Sequence, residues 1–84
     1  MRPKDIEVGK TYRNRGKART KRQVTHIGDE YRPTAWFSDR KPPDEPGVYF
    51  TQWNWKGGMN RRWVYGGTAN LYLSSFAAWC GGEV

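Results

Sequence analysis

Between residues 10 and 22 the chain places Lys10, Arg13, Arg15, Lys17, Arg19, Lys21 and Arg22, with no acid among them. Arginine dominates this run. Its planar fork donates to phosphate oxygens two at a time, so the run is a candidate surface for a polyanion. Tyr12, Asn14 and Gln23 are interleaved with the cations and add an aromatic face and amide donors. A second group lies downstream, where Trp53, Trp55 and Trp63 stand close to Arg61 and Arg62. Exposed indole beside guanidinium is a stacking platform for nucleobases or an anchor for a protein partner. Two candidate sites follow. The seven cations would contact nucleic-acid phosphates, and Tyr12, Trp53, Trp55, Trp63, Arg61 and Arg62 would stack bases or hold a partner.

Catalytic and metal chemistry find no support. Cys80 is the single cysteine and His26 the single histidine, far apart in the chain, so no zinc-type ligand set forms from sequence. His26 shares strand parity with Val24, which predicts a half-buried structural histidine. Cys80 falls on an apolar helical face, where packing is its role. The paired carboxylates Asp29-Glu30 and Asp44-Glu45 are adjacent in turns, where side chains diverge and make poor acid–base partners. No glycine-rich loop of the Walker or dinucleotide type is present. The expectation is a protein that is not an enzyme and carries no cofactor or metal.

These residues need a scaffold, and 84 residues allow one small domain, 1–84. Aliphatic residues are scarce, but five Trp, five Tyr and three Phe can supply a thin aromatic core. The net charge is +7, and it is unevenly placed. Residues 1–42 carry 12 Lys/Arg against 5 Asp/Glu, whereas residues 43–84 carry 3 against 3. A lone cysteine forms no intrachain disulfide and does not suggest an oxidising compartment. The charged first ten residues contain no secretory signal. From Trp63 to Gly82 no residue is charged, a length that could span a bilayer. Its glycines, serines and Asn70 suit a hairpin better, and no membrane partner is expected.

Glycine and proline punctuate the chain at the spacing of short antiparallel strands. The predicted strands are Lys10–Arg15, Lys21–Ile27, Tyr31–Phe37, Val48–Trp55, Arg61–Tyr65 and Ala69–Leu73, with Gly66-Gly67 as a tight turn between the last two. Pro33 cannot donate a ladder hydrogen bond, so it belongs at an edge, a bulge or the start of its strand. In strand four Val48 and Phe50 share one face, while Trp53 and Trp55 share the other. Ser74 is a candidate helix cap and Gly81 a helix stop. Between them Phe76, Trp79 and Cys80 align on one face of a helix near residues 74–80. Five or six short strands in so short a chain imply a mainly β fold, a small closed or nearly closed antiparallel barrel, with a short C-terminal helix plugging an open end of the sheet.

The stretch from Val8 to Gly28 resembles the opening of a KOW/Tudor-type SH3-like barrel. That opening is a strand, a basic glycine-containing loop and a second strand ending in an apolar pair; Gly16, Val24 and Ile27 fit it. Most of the chain, including Pro46-Gly47-Val48 and the segment from Leu71 to Trp79, resembles small proteins of tailed bacteriophages and prophages. The resemblances imply an SH3-like barrel at work in the cytoplasm of a bacterial host. The leading expectation is a small basic nucleic-acid-binding protein that contacts DNA or RNA phosphates through its first hairpin. The alternatives are a protein-interaction module that inhibits a host protein through the Trp-rich hairpin, and a virion accessory protein.

Overall fold

In a computed structural model of the chain, residues 1–34 and 39–84 are described. Five antiparallel strands form one sheet: β1 (Thr11–Asn14), β2 (Thr20–Gly28), β3 (Gly47–Lys56), β4 (Arg62–Tyr72) and β5 (Cys80–Glu83). Their spatial order is β4-β3-β2-β1-β5. One short helix, α1 (Leu73–Trp79), joins the two outer strands. Consecutive strands β1 to β4 are neighbours: short loops at residues 15–19 and 57–61 favour local antiparallel pairing of β1 with β2 and of β3 with β4, and the longer connection 29–46 brings β3 beside β2. Strand β5 then returns beside β1, pairing Arg13 with Gly82. The result is a small, mainly β, barrel-like fold with a short helix near its C-terminus.

The inner face carries the core. Tyr12, Val24, Val48, Phe50, Phe76 and Cys80 are each at most 2% exposed. Tyr12 meets Phe76 edge to face, and Phe50 packs on Phe76 with ring centroids 5.4 Å apart. Helix α1 thus plugs the sheet with Phe76 and Ala77, as its apolar spacing predicts. The helix begins one residue before Ser74 and has no side-chain cap. Ser74 instead bonds outward, its N–H and hydroxyl both donating to the Glu45 carboxylate. Cys80 opens β5 and packs in the core.

Two bulges change what strand parity implies. In β2 the register shifts between Val24 and His26, leaving Thr25 as an extra residue whose hydroxyl donates to the Tyr49 carbonyl. The shift turns His26 outward, where it stacks on Tyr31 at 4.8 Å, so it is exposed rather than half-buried. It also keeps Ile27 against the core. In β4 the shift lies opposite Gln52, where Gly66 and Gly67 face one partner residue. Gly67 has φ +93°, a conformation that glycine adopts without the cost of a Cβ. The Gly66-Gly67 pair is therefore a bulge inside one continuous strand. The two strands expected on either side of it, Arg61–Tyr65 and Ala69–Leu73, are a single β4 whose last residue is Tyr72. The strand expected over Tyr31–Phe37 is also corrected. Tyr31 ends a 3-10 turn (Asp29–Tyr31), and no strand covers Arg32, Pro33 or Thr34. The remainder of that stretch, with Trp36, lies outside the described residues.

Candidate nucleic-acid interface

The loop between β1 and β2 is built for a tight reversal. Gly16 takes φ +83°. Asn14, almost fully buried, spans the loop with both ends of its amide: Oδ1 accepts from the Thr20 N–H at 3.0 Å, and Nδ2 donates to the Arg15 carbonyl at 2.7 Å. Strand alternation then sends Tyr12 and Asn14 inward and Arg13 outward. Arg15 is also exposed, and its Nε donates to the Cys80 carbonyl at 3.0 Å, which holds the stem of the loop against β5. Gly81 and Gly82 leave room for the Arg13 guanidinium beside the backbone of β5.

Register brings this hairpin onto the tryptophans. Lys21 pairs with Trp53, and the Trp55 N–H donates to the Arg19 carbonyl at 2.9 Å. Trp55 in turn pairs with Trp63 across β3 and β4, with ring centroids 5.4 Å apart. Cations lie over these rings. Arg19 is 5.8 Å from the Trp55 centroid, and the Lys21 ammonium is 4.4 Å from that of Trp63 and 6.0 Å from that of Trp53. The two groups that are separate in sequence therefore share one face of the sheet. Between them runs an open groove of about 370 Å³. Arg13, Lys17, Arg19, Lys21 and Trp63 are in its lining, and none of its described lining residues is an acid.

Arg15 is outside the groove lining, and Tyr12, Arg22 and Lys10 are turned inward or matched by acids. Tyr12, a candidate stacker by sequence, is 1% exposed. Its hydroxyl donates to the Asp5 carbonyl and accepts from the Glu7 N–H, so it closes the core. Arg22, a candidate phosphate contact by sequence, is turned inward by the alternation that sets Lys21 outward. Its guanidinium lies 4.1 Å from the Trp79 ring centroid and 4.5 Å from that of Phe50, and its Nε donates to Gln52 at 2.7 Å. Burial lowers its pKa, and its Nη1 has no hydrogen-bond partner among the described residues. Lys10 pairs with Glu7 at 2.6 Å and Glu83 at 3.6 Å, and the Glu7 hydrogen bond and charge raise its pKa. Its charge is matched locally, away from the groove.

Arg61 and Arg62 are exposed at the tip of the β3–β4 hairpin, with Lys56 paired opposite Arg62. Tyr65 joins the site although it is not among the candidates that the sequence suggests. It pairs with Trp53 and is 64% exposed. Its signal is its strand parity with Trp63 inside the expected strand Arg61–Tyr65.

Geometry defines the class: a small mainly β domain with a basic groove that has Trp63 in its wall and no acidic side chain among its described lining residues. No known family model, curated protein or solved structure matches the chain. Among the described residues no helix is long and apolar enough to cross a membrane, and no cluster of three or more His, Cys, Asp or Glu could hold a metal.

Proposed function

We propose that this chain is a small nucleic-acid-binding protein of phage type, acting in a bacterial cytoplasm, that holds phosphates in the groove between its first hairpin and Trp63. One observation carries the reading: Arg13, Lys17, Arg19 and Lys21 converge on a single groove whose described lining residues carry no acidic side chain. Cations so placed, with few carboxylates to neutralise them, create a positive potential that draws in a polyanion. Phosphate contacts fix position and carry no sequence information, so affinity should be similar for all sequences.

Salt dependence tests this directly. Each neutralised phosphate releases condensed counterions, about 0.9 on a duplex and about 0.7 on a single strand. Four contacts give log affinity against log salt a slope of about −3.6 or −2.8, respectively. Replacing Arg13, Lys17 and Arg19 by Ser should bring the slope near −1, with the thermal melt unchanged because exposed charges contribute little to stability. A parent protein that binds neither DNA nor RNA at low salt defeats the reading.

A second reading, a protein-interaction module, draws on β4. This strand is at an edge of the sheet and exposes Trp63, Val64 and Tyr65 in sequence. An edge strand with exposed apolar groups can accept a partner strand. Recovery of one host protein from nuclease-treated lysate, abolished by Tyr65→Ser, would favour it.

A further inference from the structure

We infer that the groove takes single-stranded rather than duplex nucleic acid, with successive bases stacked on Trp63 and Tyr65. The inference rests on the proposed function and deepens it.

Trp63 and Tyr65 are two residues apart on β4 and project to the same outer face, where they pair with Trp55 and Trp53. Strand rise puts them about 6.8 Å apart. That matches the pitch at which an extended strand presents its bases once they are unstacked from one another. A duplex stacks its bases more closely and keeps their faces covered, so it offers nothing to these rings. Both rings have free surface, with Trp63 39% and Tyr65 64% exposed. Trp63 also packs edge-on against Trp55 on β3, which limits the entropy it loses when a base arrives. The β3–β4 hairpin is acid-free from Gly47 to Tyr72 and adds Lys56, Arg61 and Arg62 at its tip.

The cations are placed for a strand that lies along these rings. Lys21 Nζ lies over the Trp63 ring, 4.4 Å from its centroid, and a base that takes this face displaces the ammonium onto the neighbouring phosphate. Arg13, Lys17 and Arg19 line the same groove as Lys21 and Trp63. The groove is open and about 370 Å³, and it sets Lys21 and Trp63 in one lining, so backbone and base contacts fall side by side. Base–aromatic stacking tolerates any base, so the site should show little sequence preference.

The test uses fluorescein-labelled oligo-dT and oligo-rU 12-mers and a 12-base-pair duplex, titrated against the full chain. Single strands should bind at least ten-fold more tightly than the duplex at one salt concentration and should quench tryptophan fluorescence. Trp63→Ala should weaken single-strand binding by about 5- to 100-fold and remove much of the quench, while leaving the salt slope unchanged. Tyr65→Ala should act in the same direction, and Trp63→Phe, which keeps an aromatic face, should retain most of the affinity. Thermal melts of each variant separate lost stacking from lost fold. Equal affinity for duplex and single strand overturns the inference while the proposed function stands, as does a folded Trp63→Ala variant with parental affinity. No salt-dependent binding to any of the three probes overturns both.

Discussion

Arg22 and Lys21 are neighbours with opposite fates, and strand alternation separates them. Lys21 reaches the groove, whereas Arg22 lies between Phe50 and Trp79 with one guanidinium nitrogen unpartnered among the described residues. An inward cation without an acid partner costs desolvation, while its aliphatic stem and planar head still pack. Arg22→Met keeps the packing and removes the charge. It should melt at or above the parent temperature and leave the salt slope of nucleic-acid binding intact. Arg22→Met with a flattened slope would mean that Arg22 reaches phosphate after all. Tyr12 makes a second prediction at this scale. Burial raises its phenol pKa above the ordinary 10.0. The unfolded chain therefore ionises first, and stability present below pH 10 should fall as pH rises through the folded value. Tyr12→Phe should lose that part of the alkaline sensitivity, at a cost of about 1 kcal/mol for the hydroxyl's hydrogen bonds. Chemical denaturation at about pH 8 and about pH 11, either side of the ordinary phenol value, measures both.

Element by element, the site is held from behind. Helix α1 sets Phe76 against Tyr12 and Phe50, the inner-face residues of β1 and β3, whose other face presents the groove. Phe76→Ala should cost about 3–5 kcal/mol, the usual range for a buried aromatic truncated to Ala. In so small a domain that approaches the whole stability, so the variant should be largely unfolded by circular dichroism at physiological temperature. A cooperative melt near the parental temperature would show that α1 is dispensable. Gly47 constrains the opposite end, because a Cβ there would collide with the Tyr31 carbonyl and the start of Arg32. The 3-10 turn and β3 can meet only across a glycine.

Across the whole molecule, charge is sorted along the strands. The molecule is elongated, 46 × 25 × 22 Å. Strands β2 and β3 run antiparallel from a basic end, with Arg19, Lys21, Lys56, Arg61 and Arg62, to an end that carries Asp29, Glu30, Asp44 and Glu45. At the second end Arg32 is held by Asp29 and Asp44 at 3.3 and 3.1 Å. Such a charge gradient orients the protein toward a polyanion before the two meet. Replacing Lys56, Arg61 and Arg62 by Ser should slow association with oligo-dT several-fold at low salt. The difference should largely vanish near physiological salt, where the Debye length is about 8 Å. Stopped-flow fluorescence measures it, and identical rates at low salt would confine steering to the first hairpin.

Sequence alone determined the things that depend on neighbours in the chain. Alternation of polar and apolar residues fixed β1, most of β2, and β3, and put Val48 and Phe50 opposite Trp53 and Trp55. The spacing of Phe76 and Trp79 marked the helix, and the run from Lys10 to Arg22 marked the first hairpin as basic. Tertiary structure decided what parity cannot. The bulge at Thr25 turned His26 outward, and the bulge at Gly66-Gly67 turned an expected hairpin into one long strand. A bulge shifts every later side chain by one position, and its position depends on the partner strand. Pairing also merged two candidate sites into one groove. The Lys21–Trp53 and Trp55–Trp63 pairs join residues distant in the chain only through sheet register. The same folding withdrew Tyr12 and Arg22 from the surface, because a small core must be filled by whichever large side chains face inward.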